Sequence, residues 1–397
     1  MNIPLEDAQG LPKWLVFILA MITAVTLSNC YYIQPLLGTI SQELVSSQFA
    51  ANFIVTMTQI GYGLGLFFLV PLGDLISARK MTTANFLVLI VALGLTAIAG
   101  NVSIIWVLSL FIGACSVMPQ IYIPFAARYS LPNERSKNIS IIVSGLLVGI
   151  LGSRIISGYI SEHFGWRYVF WMGCVLMFLC LVVNFFVLPK QAHTSFQGTY
   201  RQLIGSIWDI FKKYPYLRIA AFRAATIQGS FFALWAPLSF KLQGSPFYAG
   251  DDVIGFMGIF GIIGAVSVIF IGRYINILGV KKVSMIGAIM GVIAWSIAWI
   301  LQDYYIGIIL CILLLDAGTQ CSHLANQSSV VSLDPKAINR INTIYMTIFF
   351  VVSPMGTLIA GAGWTWWGWE GVVCTGLLFT IASLLTNLWD KGQKSNI

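Results

Sequence analysis

Twelve apolar runs, most of them about twenty residues long or longer, divide this chain, and no other feature of the sequence restricts its fold as strongly. Bounded to within a few residues, they fall at about 14–37, 50–72, 81–100, 103–126, 138–161 and 167–188, then at about 218–240, 252–275, 283–301, 304–327, 341–363 and 370–389. A helix rising 1.5 Å per residue needs about 20 apolar residues to cross roughly 30 Å of hydrocarbon. Each run therefore predicts one transmembrane helix, with tilt absorbing the differences in length. The runs at 81–100 and 103–126 are nearly fused, and Gly100 and Asn101 are the turn between them. Of the 397 residues only 9% are charged, against roughly a quarter in a soluble protein. So few charges cannot cover a soluble surface, and the short loops leave no room for a separate soluble domain. The expected class is an all-α membrane protein.

The positive charges fix the topology. If the N-terminus is cytoplasmic, 18 of the 22 Lys and Arg fall in cytoplasmic segments. The opposite side holds Arg167 and Lys241, and Arg154 and Arg223 lie within runs. This asymmetry places both termini in the cytoplasm, and it assigns the net charge of +8 to topology instead of nucleic-acid binding. The acidic start before the first run, without a small-residue cleavage site, predicts a retained span and not a signal peptide. The seven cysteines lie in apolar stretches, are odd in number and form no C-x-x-C, so they read as small buried residues.

The chain divides into residues 1–188, 189–217 and 218–397: two six-helix bundles and a cytoplasmic linker. Within the linker, Tyr200, Leu203, Ile204, Ile207, Trp208 and Phe211 recur at helical spacing opposite Arg201, Asp209, Lys212 and Lys213. That pattern predicts an amphipathic helix along the interface. The halves echo each other: Asp74 and Asn276 stand 202 residues apart, and Gly165-Trp166 and Gly368-Trp369 stand 203 apart.

Several segments resemble the major facilitator superfamily. The loop Val70–Lys80 (VPLGDLISARK) is similar to that superfamily's signature between helices two and three, and Gly272–Lys282 (GRYINILGVKK) to its repeat between helices eight and nine. Ser28–Leu37, Ser144–Gly158 and His323–Met346 resemble bacterial efflux permeases of the arabinose-efflux type. The resemblance covers essentially the whole chain. It implies twelve transmembrane helices in two pseudo-symmetric six-helix bundles, with a substrate cavity between them lined by helices one, four, seven and ten. Leu75, Ser77, Ala78 and Asn276 depart from the loop signatures, and Gly149-Ile150 stands where the antiport signature has Gly-Pro.

The residues suited to transport follow. Asp74, Arg79, Lys80, Gly272, Arg273, Asn276, Lys281 and Lys282 occupy the two signature loops. There a carboxylate at a helix end can accept charge-assisted hydrogen bonds, and the resemblance makes Asp74 a latch for the outward-facing state; a plain topology anchor is the other reading. Among the fourteen acids only Asp316 falls deep within a run, about 18 Å from Tyr304 along a helix. A charge there costs roughly 2.5–3.5 kcal/mol, so the residue faces water, meets a partner or carries a proton. Proton carrier and structural hydrogen-bonding residue both fit. Arg154 is the matching deep cation, suited to pairing with Asp316, to binding an anion or to tying helices together. Arg223 is placed near enough to the start of its run to snorkel. His323 titrates near neutral pH when hydrated and otherwise serves structure. The cavity candidates are Asn29, Tyr32, Gln34, Gln120, Tyr122, Gln228, Trp235, Gln320 and Asn326, a set of aromatics and amides suited to uncharged or amphipathic ligands, with helix packing as the alternative for each.

No P-loop and no nucleophile or metal-ligand constellation occurs at membrane depth, so neither ATP drive, an enzyme, a metal nor a cofactor is expected. The expectation is a monomeric secondary transporter in a bacterial inner membrane that exports a small organic molecule (a sugar, metabolite or drug) by proton antiport. The alternative is a proton symporter or facilitator that imports a small solute.

Overall fold

The computed structural model describes residues 10–189, 199–261, 263–264, 277–334 and 338–389. Those residues are helical apart from turns and short connections, with no strand among them. The first span is built from two pieces, α1 (Lys13–Ser28) and α2 (Leu37–Glu43), joined through a 3-10 turn at Gln34–Leu36. Pro35 sits in that turn, where its missing N–H weakens an uninterrupted helix. Then come α3 (Gln48–Phe68), α4 (Ala78–Ala97), α5 (Val102–Cys115), α6 (Pro119–Tyr129), α7 (Arg135–Phe164) and α8 (Trp166–Val187). Side chains cap three of these: Ser47 accepts from Ala50 N at 3.1 Å, Ser77 from Lys80 N at 3.4 Å, and Asn101 from Ser103 N at 2.7 Å. The last of these is the turn that separates the two nearly fused runs.

Between the halves, α9 (Tyr200–Lys213) has a capping box formed by Thr199 and Gln202. The second half comprises α10 (Pro215–Gln243), α11 (Asp251–Phe256), α12 (Val280–Ile300), α13 (Tyr305–Val331), α14 (Ile338–Val352) and α15 (Pro354–Trp389). The 36-residue α15 is two helices that meet at Gly368, whose φ is +58°. Its counterpart Gly165, at φ +98°, separates α7 from α8. Both adopt left-handed backbone that disfavours a side chain, and both precede a buried tryptophan, Trp166 and Trp369. The pseudo-repeat is thus physical at this corner. Among the described residues, the largest buried cluster runs from Leu11 to Leu188 and adds Ala236 and Phe240 from the second half, with Met346, Phe350 and Trp364 packed against it.

The linker helix α9 touches both halves. Ile207 and Ile210 are buried against a cluster containing Leu217, Ile341 and Tyr345, and Tyr200 donates to the carbonyl of Phe68 at 2.9 Å. Trp208 and Lys212 face outward.

Two expectations need correction. Arg223 does not snorkel: it is fully buried, and its Nε donates to Asn326 Oδ1 at 2.8 Å. The neighbouring α13 supplies an acceptor at that depth, so the side chain has no need to reach the interface. Cys374 is exposed, whereas the other six cysteines are buried. Arg79 is buried too, its guanidinium lying 4.0 Å from the centre of the Phe185 ring.

Helices α12 and α13 touch backbone to backbone. A β-carbon on Gly287 would lie 2.3 Å from the Gly318 carbonyl oxygen, and one on Gly318 would lie 2.5 Å from that of Gly287. Membrane helices associate through such small-residue contacts. Gly287→Val is expected to push the helices apart and cost about 3 kcal/mol or more, the upper end of overpacking penalties. Thermal unfolding in detergent checks this, and an unchanged midpoint would contradict the contact.

Candidate functional site

A cavity of about 1200 Å³ lies between the halves. Its mouth carries Arg128, Arg135 and Arg340, at the ends of α6, α7 and α14 beside the loops where the basic residues concentrate. Its far end is formed by Tyr31, Gln34 and Phe232. Beyond that ceiling the halves are joined. Gly38 N donates to Ser239 Oγ at 3.1 Å, Asn52 Nδ2 to the Thr357 carbonyl at 2.8 Å, and Trp364 Nε1 to Gln48 Oε1 at 2.6 Å. Among the described residues the molecule is thus open at its basic end and closed at the other. At the closed end, Lys241 pairs with Asp303 at 3.1 Å and Arg167 with Glu43.

The cavity wall is rich in amides. Gln34, Gln59, Gln120, Gln228, Gln320 and Gln327 all line it, with Tyr31, Tyr62 and His323. Among the described residues that line it, none is Asp or Glu. Several amides are held by the protein at one end. Gln120 Nε2 donates to Tyr62 Oη at 3.3 Å, and Gln59 Oε1 accepts from Thr357 Oγ1 at 2.9 Å. His323 is hydrogen-bonded to Tyr345 Oη at 3.2 Å.

Five of the sequence candidates meet in this cavity: Gln34, Gln120, Gln228, Gln320 and His323. The other five do not line it. Asn29 turns its amide onto its own helix, donating to the carbonyls of Val25 and Thr26 at 2.9 and 3.1 Å. The Tyr32 ring lies towards α8, beside Gly173. Tyr122 donates to Asn184 Oδ1 at 3.1 Å, Asn326 serves Arg223, and Trp235 lies above the ceiling. Tyr31, Gln59, Tyr62 and Gln327 were not among the candidates. Of the loop candidates, Lys80, Lys281 and Lys282 are exposed, while the side chain of Asp74 and residues Gly272, Arg273 and Asn276 lie outside the described residues.

Above the ceiling sits a charged layer. Arg154 on α7 is 1% exposed; its Nε donates to Gln34 Oε1 at 2.8 Å. Its guanidinium carbon stands 3.6 Å from the Trp235 ring centre and 5.3 Å from that of Tyr31, geometry in which an aromatic face attracts a cation. Asp316 on α13 is 3% exposed. A β-carbon on Gly261 would lie 3.2 Å from Asp316 Oδ2 and 3.6 Å from Trp235 Cζ2, so acid and indole share one small space. Arg154 Nη1 and Nη2, Trp235 Nε1 and Asp316 Oδ2 are buried without a hydrogen-bond partner among the described residues. Buried polar atoms are ordinarily paired, and an unpaired group sets one site apart from plain helix packing.

The Major Facilitator Superfamily model matches residues 16–273. The Uncharacterized transporter YgaY of Escherichia coli O157:H7 is 33% identical over 378 residues, covering 95% of both chains. Among solved structures, a mutant form of the nucleoside transporter NupG superposes with a TM-score of 0.72 at 14% identity, covering 95% of this chain and 98% of that one. The D-xylose-proton symporter gives 0.69 at 15% identity, covering 93% and 97%. With a cavity between two helical halves, open at one end and sealed at the other, this chain is a multi-pass membrane transporter and belongs to the Major Facilitator Superfamily.

Proposed function

We propose that the chain exports an uncharged, polar organic solute in exchange for protons by alternating access, in a bacterial inner membrane. The observation that carries this reading is the pairing of an amide-lined cavity, with no acid among its described lining residues, with a separate buried acid above its ceiling. With the basic loops cytoplasmic by the positive-inside rule, the conformation is inward-facing and the amides meet solute from the cytoplasm. An organic cation leaving water needs a counter-charge, and the described cavity wall supplies none. A solute bearing several hydroxyl or carbonyl groups matches amides that donate and accept.

Asp316 is the proton carrier in this reading. Protonation removes a buried charge at a carboxylate whose Oδ2 has no hydrogen-bond partner among the described residues, and loss of the proton gives the unpaired Nη groups of Arg154 an acceptor to move towards. Because Arg154 also holds Gln34, the proton is felt at the cavity ceiling. A ligand or proton shifts conformers only through such differential contacts. Gly149-Ile150, where the antiport signature has proline, favours proton symport as the second reading.

A thermal-shift screen of the purified protein is expected to find stabilisation by uncharged hydroxylated solutes and none by cationic dyes; the reverse pattern would refute the substrate class. In proteoliposomes, an imposed proton gradient should drive the stabilising solute in the opposite direction. Movement in the same direction as protons would establish symport.

A further inference from the structure

The closed end of the molecule is centred on a carboxylate. Asp251 opens α11 and is 2% exposed. Its Oδ1 accepts from Thr39 Oγ1 and Gln243 Nε2, each at 2.9 Å. Its Oδ2 accepts from Thr39 Oγ1 at 2.8 Å and Ser161 Oγ at 2.6 Å. Thr39 is on α2 and Ser161 on α7, both in the first half; Asp251 and Gln243 belong to the second. The backbone N–H of Asp251 donates to Glu162 Oε2 at 2.9 Å, a third tie across the same seam. The backbones meet there too, since a β-carbon on Gly158 would lie 2.3 Å from the Asp251 carbonyl oxygen.

We infer that Asp251 is a second proton-binding site, built into the seam, whose protonation holds the closed end shut. The inference rests on the reading of this chain as an alternating-access transporter but not on Asp316 as its proton carrier. The described side chains that donate to Asp251 are neutral, none of them a Lys or Arg, so no cation among them fixes it as a carboxylate. The donors to Asp251 are two hydroxyls and an amide, and a hydroxyl can reverse its bond. Once the acid is protonated it donates to Thr39 Oγ1, and the threonine turns its own proton away; no hydrogen bond across the seam needs to be lost.

The charged groups around it agree. From α7 come Glu162 and, one residue on, His163, whose Nδ1 lies 3.0 Å from the Tyr159 carbonyl. From α2 comes Glu43, taken up by Trp166 and Arg167. From α10 comes Lys241, taken up by Asp303. Asp252 lies beside Asp251 and binds Val253 N at 2.7 Å. Burial raises the Asp251 carboxyl above its ordinary range and the Glu162 charge raises it further, against the hydrogen bonds from Ser161, Thr39 and Gln243. The sign follows. A carboxyl that holds its proton more tightly in the sealed seam than in an opened, hydrated one favours the sealed form at low pH. That preference is lost as pH rises through the sealed-state value.

The test is a distance across the seam. Val45 and Tyr248 are exposed on opposite halves at this end, so Val45→Cys and Tyr248→Cys carry spin labels in a background with exposed Cys374 replaced by Ser. In the Asp316→Asn protein, the closed-to-open ratio is expected to rise by up to about tenfold per pH unit of acidification, the limit for one proton. Adding Asp251→Asn, a neutral side chain of the same shape, should flatten that response. Glu162→Gln removes the neighbouring charge and should move the midpoint to lower pH. A response that survives Asp251→Asn would overturn the inference. So would a flat profile in Asp316→Asn alone, because the titration would then belong to Asp316 and leave the proposed function standing. A midpoint unmoved by Glu162→Gln would equally count against it.

Discussion

Asp316→Asn is expected to abolish gradient-driven accumulation of solute while leaving equilibrative exchange of the same solute intact. One proton moving down one pH unit supplies about 1.4 kcal/mol, which sustains roughly a tenfold concentration ratio per unit for one-to-one coupling. A transporter without its proton carrier holds a ratio of one. Asparagine resembles the protonated acid in size and neutrality, so the variant should still pass through both conformers. Asp316 Oδ2 has no hydrogen-bond partner among the described residues, so the substitution breaks no hydrogen bond to them at that atom. A purely structural aspartate would behave differently: its loss would lower the unfolding midpoint and reduce exchange and accumulation together. Counterflow and gradient-driven uptake in the same proteoliposomes separate the two. Full accumulation by the asparagine protein would rule out Asp316 as the carrier.

The spans and their pairing are legible in the sequence because membrane depth forces helix length and loop charge into the open. Gly165-Trp166 and Gly368-Trp369 mark equivalent corners, and Asn101 caps the helix after the turn. The cavity was harder to read. Tyr31 and Gln34 both line it, whereas polarity alone selects Asn29 and Tyr32 along with Gln34 and passes over Tyr31. The chain departs from regular helix between Ser28 and Leu37, and helical periodicity does not carry through such a break. Gln59 and Tyr62 escaped because helix two was not placed around the cavity; polar groups at i and i+3 inside an apolar run were the available signal. Asp251 escaped for another reason. An acid at the edge of a span is commonplace, and its partners Thr39 and Ser161 lie 212 and 90 residues away. Only the closed seam brings them together.

Asn326→Leu is expected to cause a large loss of stability in the second half. Arg223 is fully buried and directs both Nε, at 2.8 Å, and Nη2 to Asn326 Oδ1. Asn326 in turn donates to Ser284 Oγ at 3.1 Å and to the Ser322 carbonyl at 2.7 Å, so one amide ties α10, α12 and α13 together. Hydrogen bonds to a charged group contribute about 1.5–3 kcal/mol each. Leucine removes two of them and leaves the guanidinium without that acceptor at a depth where water is scarce. The expected cost is about 3–5 kcal/mol, in line with two such hydrogen bonds, read as a fall in the thermal unfolding midpoint in detergent. Combining Asn326→Leu with Arg223→Met should recover much of that loss, because an apolar pair of similar volume leaves no charge to satisfy. A double variant no more stable than the single one would mean that the site depends on the amide's ties to Ser284 and Ser322, and that the buried charge is satisfied without Asn326.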